Sequence, residues 1–485
     1  MLQIVLYCVL FVVCAGVFAE VRSRGVRQGV LLVASYVLYL TWEPWFAAVL
    51  VASTVMNFLL GKWLRKTPSA GVLWVGILLN LALLSTFKYI PAIAVRFDVS
   101  SLHNFAHLAL PLGISFWTFQ AMSYLFDIYR GDELDPTFFE FAMYLVFFPV
   151  TISGPICRMP DMLPQFRSET LTAWNDLVQG FRRILMGVFM MQVATILGRG
   201  ILGSDGVNSG FDVLKHWSGT DVWCLAVGCG LQLFLDFAGY SHVAIGVALA
   251  MGFTVPENFA RPFTSANPSI FWTRWHMSLS FWIRDYVFLP LAMVRRETWW
   301  RNLALVIAMF LFGLWHQATL LFILWGVYNG VLLVLHRQVQ QVKRAFNWDP
   351  PESVWIPVSW ITTMAVLNLG WIFFRSTSLA QAGEMLRAVF SPASYFAHFL
   401  SGAMYLLVAG LALGYAITLL LIDWLNRNSE AEAASTSGPR TGIGAMLARG
   451  RWYWISPIFL AALALLVLIT STMGASTTQF MYRVF

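Results

Sequence analysis

The feature that most constrains this chain is its repetition of apolar runs near the length a bilayer requires. A helix rises about 1.5 Å per residue and a hydrocarbon core is about 30 Å thick, so roughly 20 apolar residues cross it. Thirteen candidate runs fall near 3–20, 28–41, 45–61, 71–89, 110–126, 138–156, 178–200, 220–251, 302–320, 321–336, 355–374, 402–423 and 454–473. A soluble chain could not hide them. Only 11% of the residues are charged and 59% are hydrophobic, against about 25% charged in an ordinary soluble domain. The expected fold is therefore an all-α polytopic membrane bundle of eleven to thirteen membrane helices, in a single membrane domain over 1–485. The runs near 28–61, 138–156 and 302–336 read as tight pairs or re-entrant elements. Irregular backbone at that depth must be buried in protein or line a cavity.

The net charge of +7 belongs with this reading rather than with nucleic acid. Lys and Arg gather in cytoplasmic loops and face anionic lipid. Arg22, Arg24 and Arg27 follow the first apolar run, whereas a signal peptide carries its charge ahead of one. That order predicts an uncleaved first span with its N-terminus outside. The basic stretches Arg22–Arg27, Lys62–Lys66, Arg295–Arg301, Arg337–Arg344 and Arg427–Arg451 are expected in the cytoplasm, with the C-terminus outside. Residues 427–452 are small and polar and read as a flexible cytoplasmic loop, and 474–485 form a short aromatic tail. The five cysteines show no zinc or CxxC spacing, so buried thiols are expected and no metal.

Ionisable groups at membrane depth are costly, which makes each a candidate for function. The densest set lies between 231 and 330. In LFLDFAGYSH, Asp236 and His242 flank a Gly-Tyr-Ser turn. The stretch SIFWTRWHMSLSFWIRDYVFLPL carries Arg274, His276, Arg284 and Asp285. At helical spacing Phe271, Trp275, Leu279 and Trp282 form one stripe, and Trp272, His276 and Ser280 a neighbouring one. On pattern alone this is an interfacial amphipathic helix with its charges toward headgroups. His316 stands mid-run in LVIAMFLFGLWHQATLLFILWGVYNG. A neutral imidazole needs partners for both nitrogens. Gln317, Thr319 and Asn329 offer few, so a second buried polar chain, most simply a polar tunnel, must approach His316. No Walker A loop, HExxH or GxSxG occurs.

These segments resemble the bacterial membrane-bound O-acyltransferase (MBOAT) family, in its branch of alginate and related polysaccharide O-acetyltransferases. The likeness runs through LPLGISFWTFQAMSYLFDIYRG, FFPVTISGPICR, LFLDFAGYSHVAIG, PENFARPF, FWTRWHMSLSFWIRDYVFLPL, GLWHQATLLFILWGVYNG and WIFFR, in family order. The resemblance implies a funnel of helices around a thin partition pierced by a tunnel. It implies that His316 is the catalytic histidine and His276 the second one, on the cytoplasmic side. Arg274, Trp275, Asp285, Trp315, Asn329 and Asp236 would support the tunnel, Arg274 and Asp285 by positioning. The donor implied is a cytoplasmic thioester such as acetyl-CoA, a substrate rather than a bound cofactor. The implied partners are a secreted or membrane-tethered SGNH-type acyltransferase and an envelope polysaccharide, at the bacterial inner membrane. Phe480, Tyr482 and Phe485 resemble an aromatic C-terminal motif, which implies that the Tyr482 hydroxyl relays the acyl group. The chain departs from the family pattern at Gln317 after GLWH, at Asn329 in place of a histidine, at His242 after GYS, and at Arg483. D-alanyl transfer is the alternative within the family. A transporter would show internal repeats, and none is visible.

Overall fold

Capping and turn residues cut the apolar runs into helices of unequal length. The computed structural model describes the backbone of residues 2–97, 109–201 and 204–435. Its α-helices are α1 Leu2–Glu20, α2 Arg24–Leu40, α3 Pro44–Lys66, α4 Ala70–Lys88, α5 Ile90–Phe97, α6 Ile114–Arg130, α7 Phe138–Val146, α8 Met159–Arg167, α9 Trp174–Arg199 and α10 Val207–Asp212. They continue with α11 Gly219–Ala250, α12 Pro268–Trp272, α13 Met277–Ile283, α14 Leu289–Met293, α15 Thr298–His316, α16 Leu320–Ala345, α17 Glu352–Arg375, α18 Leu379–Phe390 and α19 Gly402–Ser435. The all-α expectation holds, and the extended pairing among the described residues is one antiparallel bridge, Phe259 to Trp275.

Among the described residues eight helices are long and apolar enough to cross a membrane: α3, α4, α9, α11, α15, α16, α17 and the Gly402–Leu421 part of α19. Two other expected runs form shorter helices, α2 and α6, of 17 residues each. The run near 138–156 is a short helix, α7, followed by turns, and the run near 302–336 is the tight pair α15–α16. α19 continues to Ser435, so the first residues of the 427–452 stretch are helical. The Glu-Ala-Glu-Ala-Ala sequence there favours helix. The rest of that stretch, the run near 454–473 and the tail with Tyr482 lie outside the described residues.

By packing, the described residues form two clusters. The first comprises the described residues up to Ile184, with Tyr240–Ala318 and Gly326–Thr363. The second comprises Leu185–Gly239, Thr319–Trp325 and the described residues from Met364 onward. The long helices α9, α11, α16 and α17 supply residues to both.

In the first unit α6 is buried at every position from Ile114 to Ile128 except Phe126. A helix buried on all faces belongs to a core, not to lipid. It packs on α3 and α4, which are tied to each other by a reciprocal amide pair, Asn57 and Asn80, at 2.7 and 3.1 Å. Polar side chains joining helices in this way suit a medium that offers no water. α7 starts on a Thr137–Glu140 capping box. The Glu140 carboxylate, 1% exposed, also accepts from Arg24 at 2.5 Å and from Arg167 at 2.9 Å, drawing α2, α7 and α8 together.

In the second unit Asp221, in the first turn of α11, gathers the start of α19. It accepts from the amides of Ser218, Phe399 and Leu400 and from the Tyr405 hydroxyl. Arg375 and Asp212 form a two-pronged ion pair at 2.8 and 3.0 Å. The Trp325 and Trp371 rings stack at 6.4 Å.

Candidate active site

Every residue that builds this site belongs to the first unit. His316 is the last residue of α15, because Gln317 leaves the helical backbone at φ −158°, ψ 138°. The apolar run is therefore not continuous through His316 but turns there, and α16 returns from Leu320. Two glycines of WGVYNG set how closely α15 and α16 approach. A Cβ at Gly326 would fall on the Met309 carbonyl, and one at Gly330 would lie 2.9 Å from the Val306 Cα. Small residues at such crossings allow backbones to touch. Asn329, buried at 3% exposure, lies between these glycines on α16.

The second histidine arrives by an irregular route. The stretch expected to form one interfacial amphipathic helix instead begins as two short helices, α12 and α13, separated by a turn. The helical stripes therefore break at His276, although Phe271 and Trp275 remain stacked at 5.4 Å. His276 occupies the left-handed region at φ 43°, ψ 52°, a conformation costing roughly 1–2 kcal/mol for a residue with a Cβ. The PENF segment holds it there. Ala260 N donates to Arg274 O at 3.0 Å, and Met277 N donates to Asn258 O at 2.9 Å, one bond on each side of His276. The Asn258 side chain is fully buried. It donates to Ser241 Oγ at 3.0 Å and accepts from Ser278 Oγ at 2.6 Å. Ser278 Oγ in turn accepts from Ile156 N at 3.0 Å. Burial pushes the His276 imidazole down to about 3, so it is neutral across the physiological range.

Trp315 joins the two histidines. Its ring centroid lies 4.7 Å from that of His316 and 6.5 Å from that of His276. Phe312 stacks on His316 at 5.3 Å and 16°, and Phe119 flanks Trp315 at 5.5 Å. Trp272 meets Phe312 at 5.3 Å. Both imidazoles thus sit in a mostly aromatic chamber, at 2% and 5% exposure, where a charge on either would be poorly solvated. A neutral histidine here is fit to accept a proton only from a group brought to it.

The remaining expected residues fall in several places. Arg274 is turned to Thr264 Oγ1 at 2.7 Å, and its carbonyl serves the bridge beside His276. Trp275 packs on Phe259 and Phe271. Asp285 pairs with Arg158 at 2.8 Å and with Arg284 at 2.7 Å, at the start of a π-helical segment, Arg284–Phe288. The two arginines hold its carboxyl below the usual range against the opposing effect of burial. Beside it, Tyr286 donates to Asp127 Oδ1 at 2.6 Å. Asp236 is buried in the second unit. Tyr482 lies outside the described residues.

The sequence reading passed over Asn258 and Lys88. Lys88 ends α4, and its ammonium lies over the Trp315 ring at 4.8 Å. A lone lysine in the apolar stretch LALLSTFKYI was the available signal, since charge at that depth is rarely incidental. Asn258 carried no signal, because nothing in its neighbours reveals a fully buried amide.

The family model MBOAT, membrane-bound O-acyltransferase family, matches residues 59–376, a range that contains His276, His316, Lys88 and Asn258. The chain is 34% identical over 388 residues to the probable alginate O-acetylase AlgI of Pseudomonas putida, covering 75% of each protein. It is 31% identical over 396 residues to the peptidoglycan O-acetyltransferase of Helicobacter pylori, covering 74% of this chain and 73% of that one. Similarity to the teichoic acid D-alanyltransferase of Streptococcus thermophilus is 33% over 267 residues, covering 50% of this chain and 63% of that one.

Proposed function

Because the chain belongs to the membrane-bound O-acyltransferase family, we propose that it moves an acetyl group from a cytoplasmic thioester, such as acetyl-CoA, across the bacterial inner membrane for O-acylation of an exported envelope polysaccharide. The observation that carries this reading is the pair of buried histidines joined through Trp315. A thioester carbonyl is already electrophilic. The transfer needs a base for the incoming hydroxyl, and a neutral imidazole serves near pH 7. His316 is that base. It removes the hydroxyl proton as the oxygen bonds to the carbonyl carbon, and returns a proton to the thiolate as the C–S bond breaks. Relatives that share about three quarters of the chain are named as O-acetylating proteins, whereas a D-alanyltransferase shares half. That difference supports acetyl over D-alanyl.

Tyr482 is the first acceptor in this reading. A phenol, with a pKa of about 10, ionises more readily than a sugar hydroxyl. The phenyl ester so formed is reactive enough to pass its acyl group to the serine of an SGNH-type partner outside the membrane. The experiment is mass spectrometry of alkali-labile acyl groups on envelope polymers from a deletion strain and its complement. Loss of acetyl esters on deletion and their return on complementation are expected. An unchanged ester content, or loss of a different acyl group, overturns the reading.

A further inference from the structure

A lysine at the end of a membrane helix ordinarily extends its ammonium to water. Lys88 does not follow that pattern. It is half-buried, its ammonium lies over the Trp315 ring at 4.8 Å, and no carboxylate among the described residues pairs with it. The end of α4 is fixed beside the catalytic helix, since the neighbouring Tyr89 hydroxyl donates to Leu314 O at 3.2 Å in the last turn of α15. The Trp315 indole N–H is itself buried and meets no hydrogen-bond acceptor among the described residues. One indole ring therefore contacts both a cation that has no counter-ion among the described residues and the His316 imidazole, and carries an unspent donor of its own.

A buried donor left without an acceptor is destabilising by roughly 1–3 kcal/mol, and a cation without a counter-ion in an apolar site is held at a further loss. Both become favourable if negative charge develops between them. Acyl transfer creates such charge on the thioester carbonyl oxygen, so this inference rests on the transfer reading above. We infer that Lys88 and Trp315 form the oxyanion-stabilising pair of that transfer. The acceptor O–H gives its proton to His316 as its oxygen bonds to the carbonyl carbon. The C=O pair moves onto oxygen, and the ammonium and the indole N–H receive it. The oxyanion then collapses, the C–S bond breaks, and the thiolate takes the proton from His316. The products are an ester and a thiol, with no other reactant required.

The test follows incorporation of labelled acetate into alkali-labile esters of the envelope, in a deletion strain complemented with the full chain. Wild type, Lys88→Met, Lys88→Arg and Trp315→Phe are compared, each normalised to folded protein by size-exclusion in detergent. Met keeps the aliphatic stem and removes the charge, and Arg keeps the charge. Lys88→Met is expected to lower the rate by at least about tenfold and toward the 10²–10³-fold typical of one oxyanion donor. Lys88→Arg should retain most activity, and Trp315→Phe should show a smaller loss with its ring contacts intact. If Lys88→Met does not fold, Lys88→Gln replaces it, and Trp315→Phe still reports on the second donor. A Lys88→Met rate within about twofold of wild type, or an Arg variant as impaired as Met, overturns the inference. Wild type that restores no label instead removes the transfer reading itself.

Discussion

Asn258 offers the sharpest test of how the site is held, because its role is structural and its bonds are countable. Asn258→Ala deletes a donor to Ser241 Oγ at 3.0 Å and an acceptor for Ser278 Oγ at 2.6 Å, both fully buried. Each lost bond is worth about 1 kcal/mol net, and a stranded buried partner adds about 1–3 kcal/mol. Ser278 keeps its bond from Ile156 N, which limits the loss on that side. The sum is a destabilisation of roughly 2–4 kcal/mol. The backbone bond from Met277 N to Asn258 O survives the substitution, so the His276 turn should loosen rather than vanish. The assay is thermal melting of the purified full chain in detergent, followed by intrinsic tryptophan fluorescence. Ser278→Ala and the double variant complete a cycle, and the contact predicts a coupling of about 0.5–3 kcal/mol. Melting of Asn258→Ala indistinguishable from wild type, or strictly additive single effects, would falsify the claim that this amide holds the His276 turn.

Further expectations concern the two histidines. Gly330→Leu should force α15 from α16 at Val306 and displace His316, so acylation should fall sharply while the protein still inserts; normal acylation would contradict the packing account. His276→Asn keeps a residue tolerant of the left-handed region, whereas His276→Val should melt earlier by an additional 1–2 kcal/mol, about the strain of a branched side chain there. The His276 imidazole, pushed down to about 3 by burial, binds fewer protons folded than unfolded. Its contribution to stability is therefore complete above the unfolded value near 6.5 and is lost as pH falls from there toward 3, with a limiting slope of about 1.4 kcal/mol per pH unit. Melting curves at pH 7.5 and 5 should differ less for His276→Asn than for wild type, and an equal difference in both would place the titrating group elsewhere.

The fold class was legible because hydrocarbon thickness imposes a length on apolar runs, and α3, α4, α15 and α16 follow it closely. Helix ends were less legible. The turn at Gln317 and the left-handed backbone at His276 interrupt sequences with unbroken apolar periodicity, and the turn at His276 is held by a segment outside its own stretch. For His276 the decisive partner is the PENF segment, whose backbone bonds bracket the turn. The inference that His316 requires a buried polar neighbour came from hydrogen-bond counting. The rings that meet His316 are those of Trp315 and Phe312, and Trp315 in turn meets His276. Arg274 and Asp285 illustrate the opposite case: their charge marks them in the sequence, but Arg274 donates to Thr264 and Asp285 pairs with Arg158 and Arg284, away from the two imidazoles. Lys88 was visible as a lone charge in LALLSTFKYI, and only three-dimensional proximity to Trp315 gives it meaning.

The central claim is that His316 is the base of acyl transfer. His316→Gln keeps a polar side chain of similar reach at the end of α15 and removes the imidazole. Ester content of the envelope polymers, measured in a deletion strain complemented with this variant at wild-type membrane abundance, is the direct measurement. The account predicts a fall in acylation rate of about 10²–10⁴-fold, the contribution of a general base. Acylation at the wild-type rate with Gln at this position would contradict it.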